Sequence, residues 1–174
     1  LGVTGVTTDA LAFSGAKTSP NPYITNVEKW DGSSWTEIAE INTGRYLLAG
    51  AGTGPAALAY GGEAATNVAN TESWDGTAWT EVADLNTARY ALGGAGGPSS
   101  ALGFGGKAPE TAATESWNGS SWTEVNDLST ARRAMGYSSS QSATAAFAAG
   151  GTPPNLAVTE EFTADATLAD VTVS

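Results

Sequence analysis

The sequence predicts an all-β protein, a β-propeller of four blades with four antiparallel strands in each, and three observations carry that prediction. A block of about 44 residues is written nearly three times and then, in altered form, once more. Each period breaks into short apolar and β-branched runs separated by turn signals, the cadence of an all-β fold. The 22 glycines among 174 residues cluster in short apolar strings, which suits close-packed strands and tight turns and leaves little room for helix. A fixed period of this size marks a repeat architecture, in which each copy buries its apolar face by stacking on its neighbours.

Three marks fix the alignment. The first Trp falls at Trp30, Trp74 and Trp117, then as Phe162, in steps of 44, 43 and 45. A Gly-Gly pair falls at Gly61-Gly62, Gly105-Gly106 and Gly150-Gly151, with Ser14-Gly15 as a degenerate first copy. An arginine follows the first Trp by 15 residues each time, at Arg45, Arg89 and Arg132. The chain therefore reads as one domain, 1–174, with repeats of roughly 1–44, 45–88, 89–131 and 132–174. Four periods nearly fill the length, so four blades are expected; a fragment or half of a larger ring is the alternative.

Within a period the expected strands run in order. Segment a is Gly2 to Val6, Tyr46 to Ala51, Tyr90 to Ala95 and Arg133 to Ser138. Segment b is the small-residue run before the glycines, at Ala10 to Phe13, Ala56 to Tyr60, Ala101 to Phe104 and Thr144 to Ala149. Runs this continuous suit strands buried on both faces. Segment c is Asn26 to Trp30, Asn70 to Trp74, Ala113 to Trp117 and Val158 to Phe162. Segment d is Ser34 to Ala39, Ala78 to Ala83, Ser121 to Asn126 and Thr167 to Val173. Between c and d stand Asp31-Gly32, Asp75-Gly76 and Asn118-Gly119, dipeptides favoured where a hairpin needs positive φ. Trp79, Val82 and Leu85 are spaced by three where strict alternation demands two. Segment d is accordingly expected to be irregular, with a bulge or an early end.

Four antiparallel strands per period, repeated radially, form a propeller. The Trp-Asp pairs suggest WD repeats, but those also need a Gly-His and the chain has no His. The Gly-Gly after an apolar strand, followed 11 to 12 residues later by an aromatic and then, in the full copies, a second Trp five residues on, resembles Kelch repeats instead. The departures are a Trp-Asp-Gly turn where Kelch repeats more often carry Tyr-Asp-Pro, and a period below the usual roughly 50 residues.

Composition excludes several functions. Seven Lys plus Arg against 18 Asp plus Glu give a formal charge of -11, which repels a phosphate backbone, so nucleic acid is not an expected partner. Without Cys or His there is no disulfide, no thiolate metal site and no His-dependent triad, and no metal or cofactor is expected. No apolar run approaches the roughly 20 residues of a membrane-spanning helix, so membrane insertion is not expected.

Candidate sites divide into copied and varied residues. Trp30, Trp35, Trp74, Trp79, Trp117 and Trp122 occupy two repeat positions, and packing between blades is favoured over stacking on sugar rings. Only a tryptophan left exposed on an edge blade counts as a site. Gly61, Gly62, Gly105, Gly106, Gly150 and Gly151 are read as structural. Arg45, Arg89 and Arg132 are placed on one rim, where converging guanidinium groups bind a carboxylate or phosphate; pairing with acidic neighbours or backbone carbonyls is the competing and favoured role. The recurring acids Glu37, Glu81, Glu124, Glu40, Asp84 and Asp127 suit a solvated face, whereas a catalytic pair should be unique in the chain. No catalytic residue is assigned. The varied stretches are the b–c loops, Lys17 to Ile24, Glu63 to Ala69, Lys107 to Ala112 and Thr152 to Ala157, with Pro20, Pro22, Pro109, Pro153 and Pro154 stiffening them. Varied loops on a rigid scaffold carry recognition, so these predict one binding face including Tyr23 and Lys107.

The run Trp117 to Arg132 also resembles Kelch-type repeats in structural proteins of marine bacteriophages. That resemblance implies an extracellular, virion or tail-associated module without enzymatic activity, acting in assembly or receptor attachment. Its implied partners are other virion or surface proteins, a host glycan and a second copy of the chain. A secreted or cell-surface lectin-like propeller is the second reading, and a glycan-active hydrolase the third.

Overall fold

The computed structural model describes residues 1–18, 22–138, 142–153, 155–164 and 169–173, with the backbone alone described for 164 and 169–173. Pro20, Pro154, Thr167 and Leu168 lie outside the described residues. Blade 1 consists of β1 (Gly2–Val6), β2 (Asp9–Ala16), β3 (Tyr23–Trp30) and β4 (Trp35–Ile38). Blade 2 consists of β5 (Ala49–Thr53), β6 (Ala56–Tyr60), β7 (Thr71–Trp74) and β8 (Trp79–Val82). Blade 3 holds β9 (Gly93–Gly97), β10 (Ser100–Phe104), β11 (Thr114–Trp117) and β12 (Trp122–Val125). Blade 4 holds β13 (Gly136–Tyr137), β14 (Ala145–Ala149), β15 (Thr159–Ala164) and β16 (Ala169–Val173). Each blade is an antiparallel sheet with its strands in chain order, and the four form a four-bladed β-propeller.

The first strands stand innermost, with β5 between β1 and β9 and β13 against β9. Small residues make this possible. A Cβ on Gly50 would lie 2.5 Å from the Phe13 ring, and one on Gly94 2.4 Å from the Tyr60 hydroxyl. Strands β5 and β9 thus each leave space for an aromatic from the preceding blade, and Tyr60 uses that space to donate a 2.8 Å hydrogen bond to the Leu102 carbonyl.

The apolar core is divided into interblade layers. Leu11, Phe13 and Val27 of blade 1 meet Ile41, Leu48, Ala57, Ala59, Trp74 and Trp79. The same arrangement joins Leu58 and Tyr60 to Leu85, Leu92, Trp117 and Trp122, and then Leu102 and Phe104 to Met135, Ala146 and Ala148. The three-residue spacing in segment d now has a cause. Trp79 faces the layer behind its blade, while Val82 and Leu85 face the layer ahead, so the run crosses from one interface to the next. The strand itself ends early, at Val82, as the broken alternation predicts.

The innermost strands begin later than the sequence suggests. Tyr46 to Ala51 was the expected span, but β5 starts at Ala49, because Leu47 sits at φ 54° and breaks the extended backbone. Ala91 and Ala134 do the same at φ 54° and 50°, shifting β9 and β13. The break serves the ring: the Ala91 N–H donates to the Leu47 carbonyl at 2.7 Å and the Ala134 N–H to the Ala91 carbonyl at 3.0 Å. These left-handed non-glycine residues cost of order 1 kcal/mol or more each, offset by hydrogen bonds that link successive blades.

The Asp-Gly hairpins form with four residues between the paired tryptophans, Trp30 opposite Trp35, Trp74 opposite Trp79 and Trp117 opposite Trp122. Gly32 takes φ 98°, and Asp31 Oδ1 accepts from the N–H groups of Ser33 and Ser34 at 2.8 and 2.9 Å. Those charge-assisted bonds hold the Asp31 carboxyl down to about 2. Asn118 makes the same turn without a charge.

Candidate functional site

The meander puts both the b–c loops and the d-to-a linkers at one rim of the propeller, with the Asp-Gly turns at the other. The linkers carry the three arginines, which take the favoured role of pairing with acidic neighbours and backbone carbonyls, while the converging ring of guanidinium groups on the rim does not form. Arg45, Arg89 and Arg132 are each 0% exposed, one in each of three separate interblade layers, and they do not converge on a rim. Each meets the glutamate of strand c in the blade that follows: Arg45–Glu72 at 2.7 Å, Arg89–Glu115 at 3.0 Å and Arg132–Glu160 at 2.6 Å.

Arg45 shows how this charge is kept buried. Its Nε donates to the Gly61 carbonyl, Nη1 to Thr43 and Glu72, and Nη2 to Ala59. Glu72 also accepts from Asn42 N–H, Asn42 Nδ2 and Thr43 N–H. Burying two ions costs several kcal/mol apiece, and only a saturated shell of this kind repays it. The shell thins along the chain. Arg89 keeps its carbonyl bonds to Ala113 and Gly103 but its Nε has no partner, and burial pushes its guanidinium pKa down. Arg132 reaches Val158 and Ala148 only at 3.5 Å.

The glycine pair completes this lock. Gly62 and Gly106 donate to the carbonyls of Arg89 and Arg132 at 2.9 and 2.8 Å. A Cβ on Gly61 would stand 2.7 Å from the Arg89 oxygen, so φ 65° and the missing side chain are both required there. In the degenerate first copy Ser14 takes φ 57° and turns the crowding to use, its Oγ donating to the Arg45 carbonyl at 2.6 Å.

The recurring acids also have structural work. Glu40 accepts from Thr25, Glu37 from Asn26 and Glu81 from Asn70, while Asp84 and Asp127 accept the first N–H of strands β7 and β11. Among the described residues no three His, Cys, Asp or Glu side chains gather to hold a metal ion. No helix is long and apolar enough to cross a membrane among these residues.

What the frame leaves over lies on the loop rim. Tyr23 stacks on Tyr46 with ring centroids 6.0 Å apart and planes 18° from parallel. The Tyr46 hydroxyl is hydrogen-bonded to Glu63, which raises its pKa, with Tyr23 and Tyr90 close enough to add to the rise. Paired backbone bonds tie Tyr46 to Glu63, Tyr90 to Lys107 and Arg133 to Thr152, so each linker is pinned to the b–c loop of its own blade. Arg133 pairs with Glu110 of the preceding blade, whereas Lys107 meets no carboxylate among the described residues. The rim therefore presents half-buried tyrosine rings and the Lys107 ammonium, unpaired among the described residues, on a fixed frame.

Sequence reasoning named Tyr23 and Lys107 here but passed over Tyr46 and Tyr90, and it passed over Glu72, Glu115 and Glu160. The signal for the glutamates was present: a Glu stands two residues before the first Trp, or its Phe162 substitute, in every copy, as faithful to the repeat as the Arg it pairs with.

Of the six tryptophans, Trp74, Trp79, Trp117 and Trp122 are buried between blades, as favoured; Trp35 is 47% exposed on blade 1 and Trp30 half-buried beside it. Comparison of the sequence with protein-family models finds no match, and neither does comparison with curated proteins.

Proposed function

We propose that this chain is a non-enzymatic recognition and assembly module of a phage virion or tail, working outside the cell, and that it binds a protein or glycan through the b–c loop rim. The observation that carries the reading is the division of labour between copied and varied residues. Arg45, Arg89 and Arg132, the glutamates they meet and the glycine pairs are consumed in interblade locks, while the b–c loops, which differ from blade to blade, stand on one rim beside the Tyr23–Tyr46 stack. Flat aromatic faces with a neighbouring ammonium suit the apolar face of a sugar ring or a mixed aromatic and acidic peptide. Glu72, Glu115 and Glu160 are buried and taken up by guanidinium groups, out of a substrate's reach, which weighs against them as catalytic acids. The Kelch-like spacing, and the resemblance of Trp117 to Arg132 to repeats of marine phage structural proteins, supports the particle as its location.

The test has two parts. Purified particles are expected to contain the chain in fixed stoichiometry with capsid or tail proteins by quantitative mass spectrometry. Particles carrying Tyr46→Ala should attach to host cells several-fold less while the isolated chain keeps its melting temperature. A chain found only as a free monomer that hydrolyses glycans overturns the reading.

A further inference from the structure

Three interblade layers are filled, but the two faces that flank them at either end are not. Strand register fixes which residues correspond. Gly2, Ala49, Gly93 and Gly136 each pair with the last inner residue of strand b, so Leu1 matches Leu48, Leu92 and Met135. Those three are 4%, 4% and 6% exposed, yet Leu1 is 67% exposed. Trp79 and Trp122 are 6% and 5% exposed, yet their counterpart Trp35 is 47% exposed. On blade 4, Phe147 stands where Leu58 and Leu102 are buried, and it is 47% exposed. No core cluster joins blade 4 to blade 1 among the described residues.

Charge separates the candidates for what covers blade 1. Glu28 is the counterpart of Glu72, Glu115 and Glu160, each of which receives a buried arginine from the linker entering its blade. Glu28 is exposed and has no arginine among the described residues. Each of those linkers also brings an apolar residue four positions before its arginine into the layer, Ile41 and Leu85 alongside tryptophans and Leu128 alongside Phe162. All three linkers are already engaged, so the face of blade 1 is complementary in shape and charge to a fourth linker that the described residues do not supply.

We propose that the uncovered face of blade 1 is a docking surface for a further repeat of this same sequence type. Its linker, of the form Ile/Leu-Asn/Ser-Thr-Gly/Ala-Arg, places its apolar residue against Trp30 and Trp35 and its arginine against Glu28. A second copy of the chain docking through blade 4 would offer Phe147 and Ala149 to this face but no arginine.

The experiment builds the occupant. A copy of residues 90–134, a blade with its linker, is joined directly before Leu1, where the register continues as Arg132-Arg133-Ala134-Met135 does within the chain. The expected result is loss of acrylamide quenching at Trp35, read by difference against Trp35→Phe, with a melting temperature higher by about 5 °C or more. Glu28→Gln should lower the melting temperature of the extended protein but move the original chain by less than about 2 °C. A synthetic peptide with the sequence of residues 84–92, added to the original chain, provides a measurement that does not depend on folding of the extension; it should protect Trp35, and Glu28→Gln should weaken that protection. The proposal is overturned if Trp35 stays quenchable in a folded extended protein and with saturating peptide. It is equally overturned if Glu28→Gln acts alike in both proteins, or if sedimentation shows the original chain dimerising with Trp35 buried, which makes a second copy the occupant.

Discussion

Replacing Arg45 by Met tests whether the copied arginines are frame. The substitution removes the donor to Glu72 and the donors to the Gly61, Thr43 and Ala59 carbonyls. Breaking a buried ion pair from one side costs about 3–5 kcal/mol, because the surviving charge stays buried without its partner. Glu72 keeps the N–H groups of Asn42 and Thr43 and the Asn42 side chain, which places the cost near the lower end, about 3 kcal/mol. For a chain of this size that lowers the melting temperature by about 6–12 °C and removes a large part of a typical stability of about 5–15 kcal/mol. The double variant Arg45→Met with Glu72→Met replaces both charges by apolar groups, so it should be less destabilised than the two single changes added together, by about 2 kcal/mol. Urea unfolding followed by tryptophan fluorescence measures all three, since the Asn42 side chain also bonds the backbone carbonyl of the buried Trp79. A cost below about 1 kcal/mol for Arg45→Met, or strict additivity in the double variant, would refute the reasoning.

Two further outcomes follow from the same structure. Trp79→Ala should cost about 3–5 kcal/mol in urea unfolding, because the ring is buried between blades 1 and 2 against Phe13, while Trp35→Ala at the equivalent exposed position should cost under about 1 kcal/mol. Asp31 should titrate at about 2 by carboxyl NMR. Because its folded pKa lies below the ordinary 3.8, its share of stability is complete above that value and is lost as the pH falls toward about 2. Asp31→Asn should keep the turn and abolish that titration, as Asn118 already does in blade 3.

The parts of the fold that were legible are those where one residue type has one physical use. Asp-Gly and Asn-Gly between tryptophans mark hairpins wherever they occur, and the small-residue runs before the glycines become the β-strands β2, β6, β10 and β14, buried on both faces in blades 2 and 3. The start of each inner strand was not legible, because Leu47, Ala91 and Ala134 adopt positive φ for an interblade hydrogen bond that their side chains do not announce. The ion pairs were half legible. The arginines stood out by period, but their burial depends on glutamates about 27 residues on, whose polar neighbours read as a solvated strand face. The tyrosine stack on the rim was least legible, since Tyr23 and Tyr46 belong to different blades and meet only when blades 1 and 2 pack together.

The central claim is that the copied arginines, with the glutamates they meet, hold the frame while the side chains of the loop rim do the binding. Its most direct measurement is a paired scan of the isolated chain, in which affinity for the attached particle protein or host glycan and melting temperature are both recorded. Variants of Tyr23, Tyr46, Tyr90 and Lys107 should lose affinity several-fold with little change in melting temperature, whereas Arg45, Arg89 and Arg132 variants should lower the melting temperature and keep the affinity of whatever fraction stays folded. Arginine variants that melt like the parent yet no longer bind would contradict the account.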